Sequence, residues 1–294
     1  AVALGVACDV SRHDELQRLW DATVQRFGRV DVWVNNAGLS HARQRGGELR
    51  AADIRAVEET NLLGMMLATR VALRGMQAQP GGGTVYNMEG FGSNGMQAPG
   101  MSLYGASKFA LTYFNKALLA ETGDGPVKVC YLSPGIVLTD LLKRDMGSND
   151  PRDWERTQRV YNILADRVET VTPFLAEGIL REQPAGARVA WLTRGKAAGR
   201  FLSSIFRKRR VLTDADLIEI VTTLNRAKQQ AVARRARVSA AVSAALVDHG
   251  DSDVAIELLR NTGATIEEPA LMQLVQKHGT DDRVMQPLVD RSEL

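Results

Sequence analysis

The chain has 294 residues, 45% of them hydrophobic and 24% charged, with 37 Lys and Arg against 34 Asp and Glu for a net charge of +3. That balance suits a folded α/β protein of one large domain plus an appendage, and with 5% aromatic residues it gives thin support for phosphate binding and argues against a nucleic-acid partner. No apolar run is long enough to span a bilayer, the four histidines show no ligand spacing that would support a metal site, and the two cysteines read as small core residues of a reducing, cytoplasmic compartment.

In chain order, Val2 to Val10 is predicted as a buried strand that contains Cys8 and ends near Asp9. Val30-Asp31-Val32-Trp33-Val34 reads as a second buried strand, stopping in the tight small-residue turn Asn35-Asn36-Ala37-Gly38. Glu59 to Gly64 lies in a helical pattern. Gly81-Gly82-Gly83 precedes a strand instead of following one, which is the wrong context for a phosphate loop, so it reads as a plain turn. Thr84 to Met88 is a short strand, and Val127 to Leu132, with Cys130 inside it, is another that runs on into Ser133-Pro134-Gly135-Ile136-Val137-Leu138-Thr139. Strands alternating with helices argue for a parallel sheet covered on both faces, and in such sheets ligands bind at the carboxyl ends of the strands.

Between the last two strands stands SLYGASK, in which Tyr104 and Lys108 are four residues apart. On a helix that spacing puts both heads over one small volume. A free tyrosine titrates near ~10 and is a poor acid at neutral pH, but a neighbouring cation favours its phenolate and makes the pair a proton donor suited to carbonyl reduction. An ordinary surface pair has the same spacing, so the company of the motif carries the argument.

NNAG, NLLG, Tyr-x-x-x-Lys and PG-x-x-x-T, in that order, resemble the short-chain dehydrogenase/reductases. From Trp33 to about Arg210 the chain is similar to the chlorophyll(ide) b reductases, through VYNMEGFGSNG, PGIVLTDLL, YNILADRVETV and ARVAWLT. The resemblance implies a Rossmann-like doubly wound parallel sheet, an NADPH or NADH cofactor with NADPH favoured, and a small-molecule carbonyl substrate such as a ring formyl group. It also implies a homo-oligomer paired through the helices that contain Asn61 and Tyr104.

Carried onto this sequence, the family's roles make Tyr104 the proton donor and Lys108 the residue that holds the nicotinamide ribose and lowers the tyrosine pKa. Asn61 would anchor a water leading from the lysine to solvent. Pro134, Gly135, Ile136 and Thr139 would line the nicotinamide, Asn35, Ala37 and Gly38 would shape the adenosine side, and Asp9 would meet the adenine amino group. The family usually places a catalytic serine thirteen residues before the tyrosine, where this chain has Phe91. Ser93 is the nearest hydroxyl and is taken as the oxyanion donor; the competing reading is a Gly-rich loop whose serine faces water. Glu89 reads as a rim carboxylate rather than an acid in its own right.

The resemblance also exposes a departure. Short-chain reductases open with a strand, a Gly-rich turn over the pyrophosphate, a helix and a strand that selects NAD or NADP, and about fifty residues of that kind have no counterpart before Val2. Either the sequence is a fragment, the reading favoured here, or strands three and four close up by pairing with each other.

After Thr193 the composition turns basic: Arg194, Lys196, Arg200 and Arg207-Lys208-Arg209-Arg210 surround Ala197, Ala198, Phe201, Leu202, Ile205 and Phe206 along one helical stripe. Such a helix can lie on an anionic membrane surface, or it can pack its stripe on the domain. From Val211 on the pattern is helical, and Leu246-Val247, Gly250-Asp251, Val254 and Leu258-Leu259 are echoed by Leu274-Val275, Gly279, Asp281, Val284 and Leu288-Val289, a repeat of helical pairs. Through LTDADLIEIV, AKQQAVARR and ALVDHGD this segment resembles a bacterial family of HEAT-like repeats of unknown function. The expected domains are therefore 1–210, a truncated reductase, and 211–294, a helical segment that offers a surface to a protein partner.

Two functions follow: an NAD(P)H-dependent carbonyl reductase, or a disabled reductase fold serving as a binding platform. On the missing phosphate turn, the chain is expected to bind dinucleotide weakly or not at all. A fluorescence titration with NADPH should show no saturation in the micromolar range; saturable micromolar binding would contradict it.

Overall fold

The computed structural model describes residues 2–41, 43–145, 151–204, 211–222 and 225–291. Among them, a four-stranded parallel sheet has the order β1-β2-β3-β6, formed by β1 (Val32–Asn35), β2 (Gly83–Met88), β3 (Val127–Ser133) and β6 (Arg188–Ala190). The register sets Asn35 beside Asn87 and Met88 beside Leu132, so the β1 and β2 ends align. A second, two-stranded parallel sheet pairs β4 (Val137–Leu138) with β5 (Asp166–Arg167).

Strand alternation divides the core. Trp33 and Val85 point to a layer formed with α1 (His13–Phe27) and α3 (Met65–Ala78), where Leu16, Trp20, Ala72 and Met76 are buried. Tyr86, Cys130, Leu132 and Val189 face the other way, against Val171 and Leu175 of α7 (Val168–Leu180). Helices thus cover both faces, as a doubly wound sheet requires, and each fully buried large side chain contributes about 1.5–3 kcal/mol. α2 (Ala51–Glu58) runs through a π turn over Glu59–Gly64 into α3, and α4 (Ser102–Thr122) leads from the loop after β2 to β3.

One predicted strand is not formed. Val2 to Asp9 has no strand pairing, and Cys8 is half-buried rather than buried in a sheet. A strand exists only by its ladder, and no strand lies beside this segment to supply one. Nor do strands three and four pair with each other: β1, the counterpart of strand four, has β2 as its neighbour in the sheet.

The chain divides into two compact units, Ala1–Leu141 with Asp166–Gly199 and Leu142–Ala165 with Arg200–Leu294. A division at residue 210 would have put 142–165 in the first. Instead α6 (Pro151–Leu164) joins the second unit, where Tyr161 is buried and the Asn162 amide oxygen accepts the N–H groups of Val211 at 3.0 Å and Leu212 at 3.4 Å. The helices α9 (Asp214–Thr222), α10 (Arg226–Ala233), α11 (Ala240–His249), α12 (Ser252–Arg260), α13 (Glu268–His278) and α14 (Asp282–Val289) build the rest around one core. The repeat is two helical pairs, α11 with α12 and α13 with α14, and Asp251 and Asp281 cap the second helix of each. Val275 and Val289 are exposed where their counterparts Val247 and Leu259 are buried.

In sequence, α5 (Asp140–Asp145) follows β4 and α8 (Arg194–Ser204) follows β6. α8 buries no residue and exposes Phe201 and Leu202, while Ile205, Phe206 and Arg207 to Arg210 of the basic stripe lie outside the described residues. No helix among the described residues is long and apolar enough to cross a membrane.

α1 and α3 touch where Gly75 meets Trp20: a Cβ at Gly75 would overlap the indole ring. Gly75→Ala should therefore cost about 1–3 kcal/mol by overpacking, read as a lowered urea midpoint at unchanged m. A midpoint equal to the parent's would show that Trp20 moves aside freely.

Candidate active site at the carboxyl ends of the strands

Four segments of the first unit converge. The turn after β1 brings Gly38, the π turn brings Asn61, the loop after β2 brings Gly90, and the first turns of α4 bring Tyr104 and Lys108. A Cβ placed on Gly90 would stand 2.5 Å from the Tyr104 hydroxyl and 3.1 Å from Lys108 Cε, so the phenol and the lysine stem lie over the same bare backbone. A Cβ on Gly38 would stand 3.6 Å from Asn61 Oδ1 and 3.9 Å from Lys108 Nζ. Glycine at position 90 lets the backbone approach Tyr104 and Lys108 this closely, where a side chain would collide with the phenol.

Lys108 is 4% exposed, which rules out an ordinary surface pair. Its ammonium donates to the Met88 carbonyl at 3.3 Å and lies 5.9 Å from the Tyr104 ring centroid. Burial pushes its pKa down to about 8. At neutral pH the cation persists beside the phenol, yet it is close to giving up its proton.

Asn61 is fully buried and bound on every side. Its Oδ1 accepts the Leu39 N–H at 2.7 Å, and its Nδ2 donates to the Leu39 carbonyl at 2.9 Å and to Ser107 Oγ at 3.1 Å. Ser107 in turn donates to the Tyr104 carbonyl at 2.8 Å. Asn61 therefore joins the turn after β1 to the start of α4. Ser107 and the Leu39 backbone were not foreseen, since a helical serine between Tyr104 and Lys108 carries no signal of its own.

Ser93 lies in the loop that holds Gly90. Its Oγ accepts the Gly90 N–H at 3.0 Å, its N–H donates to the Gly90 carbonyl at 3.1 Å, and its carbonyl accepts from Thr112 Oγ1 at 2.8 Å. It is 9% exposed, unlike a serine facing water. Glu89 accepts Nε and Nη2 of Arg188 at 3.1 and 2.8 Å, and Arg188 lies over the Tyr131 ring, so this carboxylate anchors the loop to β6.

Pro134, Gly135, Ile136 and Thr139 leave the carboxyl end of β3 as expected from order alone. Asp166 N–H holds the Ile136 carbonyl at 2.9 Å, and Trp191 N–H holds that of Ser133 at 3.0 Å. Asn35 is buried, its amide bonded to Trp33, Thr69 and Asn87, so it shapes this end of the sheet from inside. Ala37, with Val10, Asn36, Thr60 and Gly64, lines a cavity of about 90 Å³. Asp9 is exposed; its carboxylate accepts the Ser11 hydroxyl and N–H, which lower its pKa, and it is not brought to the Tyr104 group. Among the described residues, no three His, Cys, Asp or Glu side chains converge as metal ligands.

Comparisons with known proteins agree with this fold. Residues 1–149 match the family described as short chain dehydrogenase, and residues 203–294 match one described as an uncharacterised protein conserved in bacteria. The chain is 34% identical over 193 residues to a probable chlorophyll(ide) b reductase NYC1 of Oryza sativa subsp. japonica, covering 66% of this chain and 37% of that protein. It is 31% identical over 221 residues to chlorophyll(ide) b reductase NOL of Arabidopsis thaliana, covering 71% and 62%. The chain thus spans only about 37% to 62% of the lengths of these two curated relatives. Among solved structures, the KRED1-Pglu enzyme superposes with a TM-score of 0.55 at 30% identity, covering 63% of this chain and 78% of that one. A 3-ketoacyl-(acyl-carrier-protein) reductase from Brucella melitensis, complexed with NADH, gives 0.53 at 24%, covering 63% and 75%, a likeness of fold.

The buried ammonium makes a stability prediction. A lysine whose pKa falls on folding holds its proton less tightly in the native state, so the charge opposes folding fully below about pH 8 and progressively less from there to the ordinary value of 10.5. Lys108→Met should raise stability at pH 7 by about 2–3 kcal/mol, with the gain shrinking between pH 8 and 10.5. Denaturant melts at several pH values test this, and a less stable variant at pH 7 would refute it.

Proposed function

Because this chain belongs to the short chain dehydrogenase family, we propose that its site is that of an NAD(P)H-dependent carbonyl reductase acting on a bulky carbonyl such as the ring formyl group of chlorophyll(ide) b. The observation that carries the reading is the buried Lys108 ammonium beside the Tyr104 phenol, both close over the backbone of Gly90. Tyr104 and Lys108 stand together at the carboxyl ends of the strands, where they would meet the nicotinamide ribose, so the residues present fit that end of the cofactor.

The dinucleotide, when bound, supplies the hydride. Tyr104 gives its proton to the substrate oxygen as negative charge develops there, and the Lys108 cation favours the phenolate that remains. Lys108 also holds the nicotinamide ribose, and Asn61 fixes the turn beside it. The Ser93 hydroxyl, which accepts from Gly90 N–H, keeps its own proton free to donate to the carbonyl oxygen. Pro134, Gly135, Ile136 and Thr139 bound the nicotinamide, while Asn35, Ala37, Gly38 and Asp9 serve the adenosine side. NADPH is favoured over NADH by likeness to the chlorophyll(ide) b reductases. A second copy of the chain pairs through the exposed Phe109 and Tyr113 face of α4.

A second reading, a binding platform in a chain that no longer turns over, rests on the exposed Val275 and Val289 of the second helical pair, which offer a protein partner an apolar face.

At millimolar NADPH with a bulky aromatic aldehyde, the rate should fall as pH rises through about 8, where Lys108 loses its charge. Tyr104→Phe should slow reduction by about 10²-fold or more with little change in the KM for NADPH. A Tyr104→Phe protein as fast as the parent would remove Tyr104 from the mechanism. A parent with no turnover on any carbonyl would favour the platform.

A further inference from the structure

The first unit contains a buried chain of hydrogen bonds that runs through Asn35 to Trp33, Thr69, Asn87 and Asn115, four residues given no role above. Trp33 Nε1 donates to Asn35 Oδ1 at 2.7 Å, Asn35 Nδ2 donates to Asn87 Oδ1 at 2.7 Å and to Thr69 Oγ1 at 3.0 Å, and Asn87 Nδ2 donates to Asn115 Oδ1 at 2.5 Å. Trp33, Asn35, Thr69, Asn87 and Asn115 are all at most 9% exposed. The chain therefore crosses β1 and β2 and ends on α4, within the layer that also holds α3.

Its direction is fixed at one end. An indole N–H can only donate, so Asn35 must turn its oxygen to Trp33 and its nitrogen to Asn87, which must then turn its nitrogen to α4. Position 115 thus has to present an acceptor. An apolar side chain there would leave a buried N–H of Asn87 without a partner.

Position 115 lies seven residues after Lys108 and eleven after Tyr104, so all three share one face of α4. That face also holds Ser107, which accepts from Asn61, and Leu103, Leu111 and Leu118, whose apolar contacts are non-directional. Hydrogen bonds resist rotation and sliding, because they are directional. Ser107 and Thr112 tie α4 to the π turn and to the loop after β2, and Lys108 bonds Met88 but cannot stay a permanent tether while it engages a ribose; Asn115 is bonded to a side chain of the sheet itself, Asn87 of β2.

We propose that Asn115 is a positioning residue for the reaction, locking α4 to β2 through Asn87 so that Tyr104 and Lys108 stay together over the backbone of Gly90. The proposal rests on the reading of Tyr104 and Lys108 as the proton-donating pair. Asn115 touches neither substrate nor cofactor; it acts through the rotation of the helix that bears them.

Asn115→Thr and Asn115→Val have nearly equal volumes and differ in the acceptor alone. In protein carrying ¹³C-labelled lysine, with Lys108 assigned by loss of its signal in Lys108→Arg, the Lys108 titration near pH 8 should be kept by the Thr variant and move toward the ordinary lysine value in the Val variant. Where the parent turns over, the Val variant should lose about 10²-fold in kcat at nearly unchanged KM, and the Thr variant should recover most of it. Val and Thr variants with the same Lys108 titration would overturn the proposal. Should the Val variant not fold, Trp33→Phe releases the far end of the chain and must displace the same titration; an unmoved titration there overturns it too. A parent without turnover would sink the reductase reading while the lysine titration still judged Asn115.

Discussion

An ammonium group held out of water is the constraint from which the first unit is best understood. Lys108 is buried with one carbonyl, that of Met88, within hydrogen-bond reach, and burial alone pulls its pKa far below that of a free lysine. A fold tolerates such a group where it is useful or where the surroundings give it partners. Here the surroundings are the carboxyl ends of β1 and β2, a π turn and the first turns of a long helix, and each contributes a group that small shifts would misplace. The bare backbone of Gly38 and Gly90 lets both turns come close to the lysine.

Much of this was legible because it is local. Tyr104 and Lys108 are four residues apart on one helix, and helix geometry alone puts them together. The order of the loops was legible too, since alternating strands and helices send NNAG, Gly90 and the PG segment to one edge of a parallel sheet. What escaped is long-range. Asn61 bonds to Leu39 and Ser107, which lie 22 and 46 residues away, and no spacing rule links them. Asn115 looks like any polar residue in an apolar helix until Asn87 is found beneath it. Val2 to Asp9 has the composition of a strand, but composition does not make a ladder without a neighbour. The short strands β4 and β5 have only two residues each, too few for any period to register.

The helical unit shows the same division. Its repeat was visible in the sequence because Leu246, Val254 and Leu258 recur as Leu274, Val284 and Leu288, all of them buried. The membership of α6 was not visible, because it depends on Asn162 meeting the backbone at Val211 and Leu212, 49 and 50 residues further on. A side-chain amide that accepts two backbone N–H groups is a specific tie. It explains why a segment lying in sequence between β4 and β5 folds with helices that come much later.

The loop after β2 gives the sharpest test of how far a family pattern can be transferred. Phe91 stands where a serine is usual, yet the loop still supplies a hydroxyl, and the reason lies in its turn. Ser93 and Gly90 exchange two hydrogen bonds, one to the serine backbone and one to its side chain, which closes the loop. Thr112 fixes its far side, and Glu89 ties its start to Arg188. A hydroxyl that accepts from a backbone N–H has its oxygen held in place while its own proton stays available to donate. Ser93, two positions later in sequence, is thereby held against Gly90, the residue over which the Tyr104 hydroxyl lies.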